Sequence, residues 1–424
     1  MFSRLQWLAL QLFRKVWVRV SAFTVLGVAT ALIALLVRHY IPGDLPAKIG
    51  ANAVDSLLHI IAVSMLSVTI FSLSTIVSAL ASATAHVTPR ATLLLASDSK
   101  AQNALATFLG SFVFSLVGII GLQTGLYGST GRVVLYVVTL LVIVLIVLTL
   151  LRWIDYVLSL GRVGPTSERV EAVAMQAMTR RRDAPYLGGR RRPDRRAVPD
   201  GGSALLPERM GFVGHVDIGE IQALAEKQGL EVHLAVLPGG FTSPAEPLAY
   251  VVGTAPDACL AAIRDAFTVD DNRSFDQDPR FGLRVLAEIA MRALSPALND
   301  PGTAIDLLSR GARVIAAGVA DRDDAEPDSA AVACPRVHVP TEHVDDLFDD
   351  FFAPISRDAA GHVEVGIHLQ QVLAALGHLG DGRYQSAAHR HALQAMARAR
   401  AALSSPEDLA RLEKAAASMP RTAS

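Results

Sequence analysis

The sequence predicts a mainly α protein: a four-helix transmembrane block, then a cytosolic α+β unit, then a helical C-terminal region. Three observations predict it. Apolar runs long enough to cross a bilayer fall almost wholly before Trp153, in a 424-residue chain that is 51% hydrophobic. Past Met210 the apolar period shortens to two in GFVGHVD, LEVHLAVL and PLAYVVG, with helical segments between. From Asp278 onward helical periodicity returns, punctuated by capping residues.

Residues 1–19 place Leu5, Leu8, Leu12 and Val16 on one helical face, with Arg4, Arg14, Lys15 and Arg19 elsewhere and Trp7 and Trp17 beside them. That pattern suits a short helix lying at the membrane interface. The transmembrane domain is expected over 20–160, with spans at about 20–41, 54–83, 104–124 and 133–151. The first apolar core is too long for the h-region of a signal peptide, so an uncleaved span is expected. Basic residues crowd the N-terminal flank, the 85–102 loop (Arg90, Lys100) and the segment after the last span (Arg152, Arg162, Arg169). By the positive-inside rule both termini are expected in the cytoplasm, and the protein in the inner membrane of a bacterium.

Within the spans the polar residues are mild. Ser64, Ser67, Ser74, Ser78 and Ser82 form a hydroxyl stripe down the second span, and Ser111, Ser115 and Gly118 a small-residue face on the third. Close helix packing explains such faces, and a hydrated path lined by serines is the alternative. No Asp, Glu, Lys or Arg lies at mid-depth in any expected span, which favours packing. Asp55 and His59 share a face near the outer end of the second span.

Residues 161–202 read as a helix followed by an Arg-rich Pro/Gly linker, whose basic clusters over Arg180–Arg196 suit contact with anionic lipid. The α+β unit is expected over 203–270. His215 and His233 fall on strands read as neighbours, but two histidines alone do not complete a metal set, so no metal site is expected. Residues 321–424 read as mainly helical, after an acidic linker and a short strand, RVHVP. Asp345, Asp346, Asp349 and Asp350 read as a solvated acidic face, with Val344, Leu347, Phe348 and Phe351 inward. The two cysteines, Cys259 and Cys334, fall in the part expected in the cytosol, where a disulfide is not anticipated.

The densest local signals lie between Asp278 and Asp306, inside an expected helical hairpin over 271–320. Asp278-Pro279 and Asp300-Pro301 each set an N-cap acceptor before a proline that has no N–H to leave unsatisfied. Two helices therefore start there, with Ser295-Pro296 and Asn299 at the corner. Arg280, Arg284, Glu288 and Arg292 step by four along the first helix and can pair along that stripe. A capped hairpin with one charged face accounts for these residues. An arginine-lined binding site closed by Asn299 and Asp300 is the functional alternative, so Arg284, Glu288, Arg292, Ser295, Asn299 and Asp300 are the candidate binding or structural motif.

The string PRFGLR…EIA..ALSPA.NDP.TA resembles the signature of a bacterial membrane-protein family known as domain of unknown function 2254. The same family pattern carries an upstream Ser/Thr-Pro-Arg segment with a downstream Asp and Gln. Here it reads HVTPRATLLLASDSKAQNALATF, with Thr88, Pro89, Arg90, Asp98 and Gln102 in the matching places. The resemblance runs to about Leu308 and implies location and architecture, since the family has no established activity.

The chain has no Walker loop, dinucleotide fingerprint, GxSxG elbow, HExxH or paired CxxC, so no enzyme and no cofactor is expected. A net charge of −1 argues against nucleic acid as a partner. The expected function is structural or regulatory, through self-association into a homo-oligomer or through partner binding. A channel or transporter with a Ser-lined path along the second span is the alternative.

Overall fold

Three helices long and apolar enough to cross a membrane are present among the described residues of the computed structural model: Ala53–Ser82, Ser99–Gln123 and Gly131–Ser159. The structure describes residues 51–96, 98–125, 128–192, 197–319, 332–379 and 382–417, with Val18, Ser21, Val25 and Ala29. Apart from those four positions, the interfacial helix and first span expected over 1–41 lie outside the described residues, so the four-span count rests on sequence. The three spans hold 30, 25 and 29 residues, beyond the roughly 20 that a bilayer core needs.

The chain divides into two compact units. The membrane unit takes 51–85 and 92–165 of the described residues. Its helices are α1 (Ala51–His86), α3 (Ser99–Gln123) and α4 (Gly128–Ser159). The short α2 (Pro89–Ala96) and α5 (Val163–Asp183) straddle the boundary between units. Long runs dominated by Leu, Val, Ile and Ala, with Ser and Thr interspersed, form helices because in lipid intra-segment hydrogen bonds satisfy the backbone. Asp98 starts α3 by accepting from the Lys100 N–H at 2.8 Å. The core of this unit is Leu58, Phe108, Phe114 and Leu135, with Trp153 stacked on Tyr156 and edge-on to Phe108. The small face of α3 is buried here: a Cβ added at Gly118 would stand 3.0 Å from Leu58 Cδ1. Small residues thus allow close helix approach on α3, where the sequence placed one small-residue face.

The second unit holds His86–Ala91 and everything from Thr166. Two sheets form its α/β part. Strands β1 (Gly189–Arg192), β2 (Gly202–Leu205), β4 (Glu231–Leu234), β6 (Ala249–Val252) and β8 (Cys334–Pro340) make a five-stranded sheet in the order β1-β8-β4-β6-β2. Strands β3 (Gly211–Val216), β5 (Phe241–Thr242) and β7 (Phe267–Asp270) make an antiparallel three-stranded one. β1 and β4 both run parallel to β8, and β6 is antiparallel to β4 and β2. Helix α6 (Ile218–Gln228) packs on β8 and β4, starting at the Asp217 cap and ending at Gly229 with φ 67°. Leu230, Val232, Leu234, Leu248, Val337 and Val339 form the fully buried centre of this core.

The α/β unit is therefore assembled from three separated stretches, where the sequence reading took one. The Arg-rich stretch read as a linker contributes β1, which has no apolar alternation to announce it. Pairing with β8 makes it a strand, and its charges suit a sheet edge. β8 comes from beyond the acidic linker and lies between β1 and β4.

Helix α7 (Asp257–Asp265) completes the α/β part, and among the described residues six helices follow it: α8 (Pro279–Ala293), α9 (Pro301–Ala317), α10 (Val344–Asp358), α11 (Val363–Leu379), α12 (Gly382–Ala402) and α13 (Pro406–Ala416). α8 packs on α9 and α10, α9 on α11, α10 on α12, and α11 on both α12 and α13. Leu283, Leu286, Ile289, Phe348, Phe351 and Phe352 are buried at these seams. At Gly282 an added Cβ would overlap Ala174, so α8 and α5 touch through their backbones.

Candidate functional site

The first turn of α8 brings several buried and half-buried charges together. Asp278, 1% exposed, caps the helix by accepting from the Phe281 N–H at 3.2 Å. Arg273 grips the same carboxylate with two hydrogen bonds, of 2.7 and 3.0 Å. Bidentate Arg–carboxylate pairs are among the strongest polar contacts, and a buried carboxylate needs one. Gly239 closes over the pair: its φ is +89°, and a Cβ there would overlap the Asp278 carboxylate. Only glycine meets both conditions.

Along α8 the charged stripe is real, but its partners lie on other elements. Arg280 donates to Asp350 at 2.7 Å and to Asp346 at 2.9 Å, and Arg284 lies 3.4 Å from Asp350. Glu288 accepts from Arg90 at 2.6 Å, both residues belonging to the same compact unit. Arg292 sits half-buried in the last turn. The expected pairing along the stripe is thus replaced by pairing with other elements, because α10 brings Asp346 and Asp350 within reach of Arg280 and Arg284.

The same contacts divide the acidic face of α10: Asp345 and Asp349 stay exposed, as expected, while Asp346 and Asp350 are drawn into the seam with α8. Asp346 and Asp350 meet α8, while Asp345 and Asp349 meet α12, each at 2.8 Å from Arg390, with His391 3.0 Å from Asp349. Burial opposes a charge on Arg280, yet the carboxylates of Asp350 and Asp346 more than offset it and raise its pKa. Burial pushes the His391 imidazole below its ordinary pKa, with Arg390 adding to the effect and Asp349 opposing it.

A cavity of about 230 Å³ opens beside this seam, lined among others by Gly239, Arg273, Arg280, Arg284, Glu342 and Asp346. Glu342 lies 3.2 Å from Arg181. Burial nevertheless pushes its carboxyl up, opposed by that guanidinium. The Thr341 hydroxyl is buried without a hydrogen-bond partner at the cavity, whose lining is otherwise rich in charged side chains. Sequence reasoning put Arg280 on the stripe but outside the candidate motif, and missed Arg181, Arg273 and Glu342. Arg181 and Glu342 come from distant stretches of chain, and Arg273 reaches Asp278 through a turn that follows neither helical nor strand spacing.

The corner after α8 is a capping device. The Ser295 hydroxyl donates to the Arg292 carbonyl at 2.6 Å, and the Asn299 N–H to the Ser295 carbonyl at 2.8 Å. Asn299 has φ 44°, a left-handed conformation asparagine tolerates better than most residues. Asp300 accepts from the Thr303 N–H at 3.0 Å and from its hydroxyl at 2.6 Å. The Thr303 hydroxyl and N–H hold the Asp300 carboxyl below the usual range. Asn299 and Asp300 are exposed and do not line the cavity described above.

The upstream motif also resolves into caps. The buried Thr88 hydroxyl accepts from the Ala91 N–H at 3.2 Å, with Pro89 opening α2. Asp98 caps α3, and Gln102 donates its backbone N–H to the Asp98 carbonyl at 3.2 Å. In α1, Ser67, Ser74, Ser78 and Ser82 are exposed and Ser64 half-buried, whereas Ser72 is the buried serine. Ser64 and Ser67 donate to the Ile60 and Val63 carbonyls of their own helix, at 2.6 and 3.0 Å. Within the expected Arg180–Arg196 lipid stretch, Arg181 and Arg192 are buried and Arg190 and Arg191 exposed.

His215 and His233 do not lie on neighbouring strands. β3 and β4 belong to different sheets, and His233 stands instead beside His338 on β8. Burial pulls His233 down to about 4, with His338 and Arg192 adding to the effect and Glu231 opposing it.

Apolar spans followed by an α/β and helical body define a class, the membrane protein with a large extramembrane portion. Within that class, the chain belongs to the family described as predicted membrane protein DUF2254, whose model matches residues 14–375. "Uncharacterized protein Rv1290c" of Mycobacterium tuberculosis and "Uncharacterized protein Mb1321c" of Mycobacterium bovis are each 35% identical to it over 150 residues. That stretch is 32% of this chain and 27% of either relative, so the chain spans about a quarter of the relatives it matches. No solved structure matches the chain.

Proposed function

We propose that this chain is a multi-pass inner-membrane protein that acts by regulation rather than catalysis. Its body lies in the cytosol, binds a partner or a second copy, and passes its state to the spans through the His86–Ala91 segment. One observation carries the reading: Arg90, in the segment between two spans, is paired with Glu288 on α8 at 2.6 Å. The two stretches that carry the family resemblance therefore meet. Such a partly exposed pair is worth only about 0–1 kcal/mol, which suits a contact made and broken in use.

The charge network supports binding over chemistry. Arg273, Arg280 and Arg284 at the cavity each face a carboxylate, Arg273 at the cap of α8 and the other two across to α10. Contact with anionic lipid falls to Arg190 and Arg191, the exposed arginines of β1. Cross-linking in native membranes, read by mass spectrometry, should find inter-chain links that map to the body. A chain that is monomeric in the membrane and yields no such link contradicts the proposal.

The channel alternative draws on a different observation, the exposure of Ser67, Ser74, Ser78 and Ser82 on α1. An assembly of copies that turned this face inward would have a hydroxyl-lined path.

A further inference from the structure

Glu231 and His233 are two residues apart on β4, so their side chains leave the same face of the sheet. His338 is the register partner of His233 on parallel β8. The two imidazoles stack, with centroids 4.1 Å apart and planes within 5°. Glu231 Oε2 lies 3.7 Å from His233 Nε2 and 3.6 Å from His338 Nε2. All three ligand atoms fall within 4.8 Å of one another. His338 Nε2 is buried and has no hydrogen-bond partner.

The platform beneath is rigid. Val232, Leu234, Val337 and Val339, on the opposite face of the same two strands, are fully buried in the α/β core. A ligand at 2.0–2.1 Å from a tetrahedral metal stands about 3.4 Å from its neighbour. The carboxylate-to-imidazole distances need close by only a few tenths of an ångström, and binding one ion requires the two imidazoles to turn out of their parallel stack so that both lone pairs converge. The α/β fold thus supplies what the sequence alone left incomplete, a carboxylate on the same strand and a second histidine from a distant one.

The geometry points to a divalent transition-metal site formed by Glu231, His233 and His338, with at least one coordination position open. Two imidazoles and one carboxylate suit Zn(II) and its first-row neighbours, whereas Mg(II) and Ca(II) take oxygen sets. Arg190, beside His338 on β1, and Arg192 bring positive charge to the same sheet. The affinity is therefore expected below that of a closed four-ligand zinc site. Glu231 is half-exposed, which leaves a path for the ion to enter.

Co(II) titration of the full-length, tag-free chain in detergent tests the assignment, followed by visible absorption and by Zn(II) competition. One saturable site per chain, displaced by Zn(II), is expected. His338→Ala and Glu231→Gln should each weaken binding by about tenfold or more, as even outer-shell changes cost that much. His378→Ala, at an exposed position on α11, should bind as the parent does. If His338→Ala fails to fold, Glu231→Gln still decides, because a half-exposed amide keeps the shape of the carboxylate. Absence of saturable binding, or unchanged affinity in Glu231→Gln, overturns the three-ligand site.

Discussion

Asp300 shows how much a single residue of the motif does by local means. It satisfies the N–H and hydroxyl of Thr303, and Pro301 follows it at the first helical position. Asp300→Ala should cost about 0.5–2 kcal/mol, and Asp300→Ser should recover most of that, measured by denaturation of the body within the full chain. The folded carboxyl titrates below its unfolded value, so its contribution is present above the unfolded pKa and lost as pH falls through the folded one. The stability gap between parent and Asp300→Ala should therefore narrow in acid. A gap independent of pH would mean that the carboxylate charge plays no part.

These caps were legible because each is written within four residues of sequence. Arg273 and Glu342 were not legible, since a turn without helical or strand spacing carries Arg273 to Asp278 and the partner of Glu342 lies in a distant stretch. Gly239 belongs with them: its φ and its approach to Asp278 appear only once the turn after β4 lies over α8. Gly239→Ala should destabilise the body by more than the 1 kcal/mol or so of ordinary backbone effects, through strain and loss of the Arg273–Asp278 geometry.

Between elements, the seam of α8 with α10 is the feature that sequence periodicity half revealed. The apolar faces of both helices were readable, as were their charged faces. Which charge meets which depends on the packing of helices separated by α9, a linker and a strand, so the shielding of Asp350 against α8 was not readable. A double-mutant cycle on Arg280 and Asp350 should return a coupling of about 0.5–3 kcal/mol, because Asp350 is well shielded and doubly engaged. A coupling near zero would make the seam purely apolar. In the membrane unit, alanine at Ser67, Ser74 and Ser78 should leave insertion and assembly intact, since hydroxyl bonds between membrane helices average only about 0.6 kcal/mol. A conductance of the reconstituted protein that these alanines abolish without changing oligomer size would instead favour the Ser-lined path.

For the whole molecule, the division into apolar spans, an α/β part and a helical remainder was visible in hydropathy and period. The parallel placement of β8 between β1 and β4 was hidden, because strand order across a long crossover leaves no local trace. Orientation rests on the loop charges. Reporter fusions at Pro46, Lys100, Gly128 and the C-terminus should read outside, inside, outside and inside, and an outside C-terminus would reverse the proposed placement of the body.

If the body signals to the spans, the Arg90–Glu288 pair, in the segment that joins α1 to α3, is where a change should register. Hydrogen exchange of the protein in nanodiscs tests it directly, comparing Arg90→Glu, Glu288→Arg and the charge-swapped double variant with the parent. Each single variant should speed exchange in the terminal turns of α1 and in α8, and the double variant should restore the parental pattern in both. Single variants that change only the substituted turn, or a double variant that restores nothing, would contradict the account.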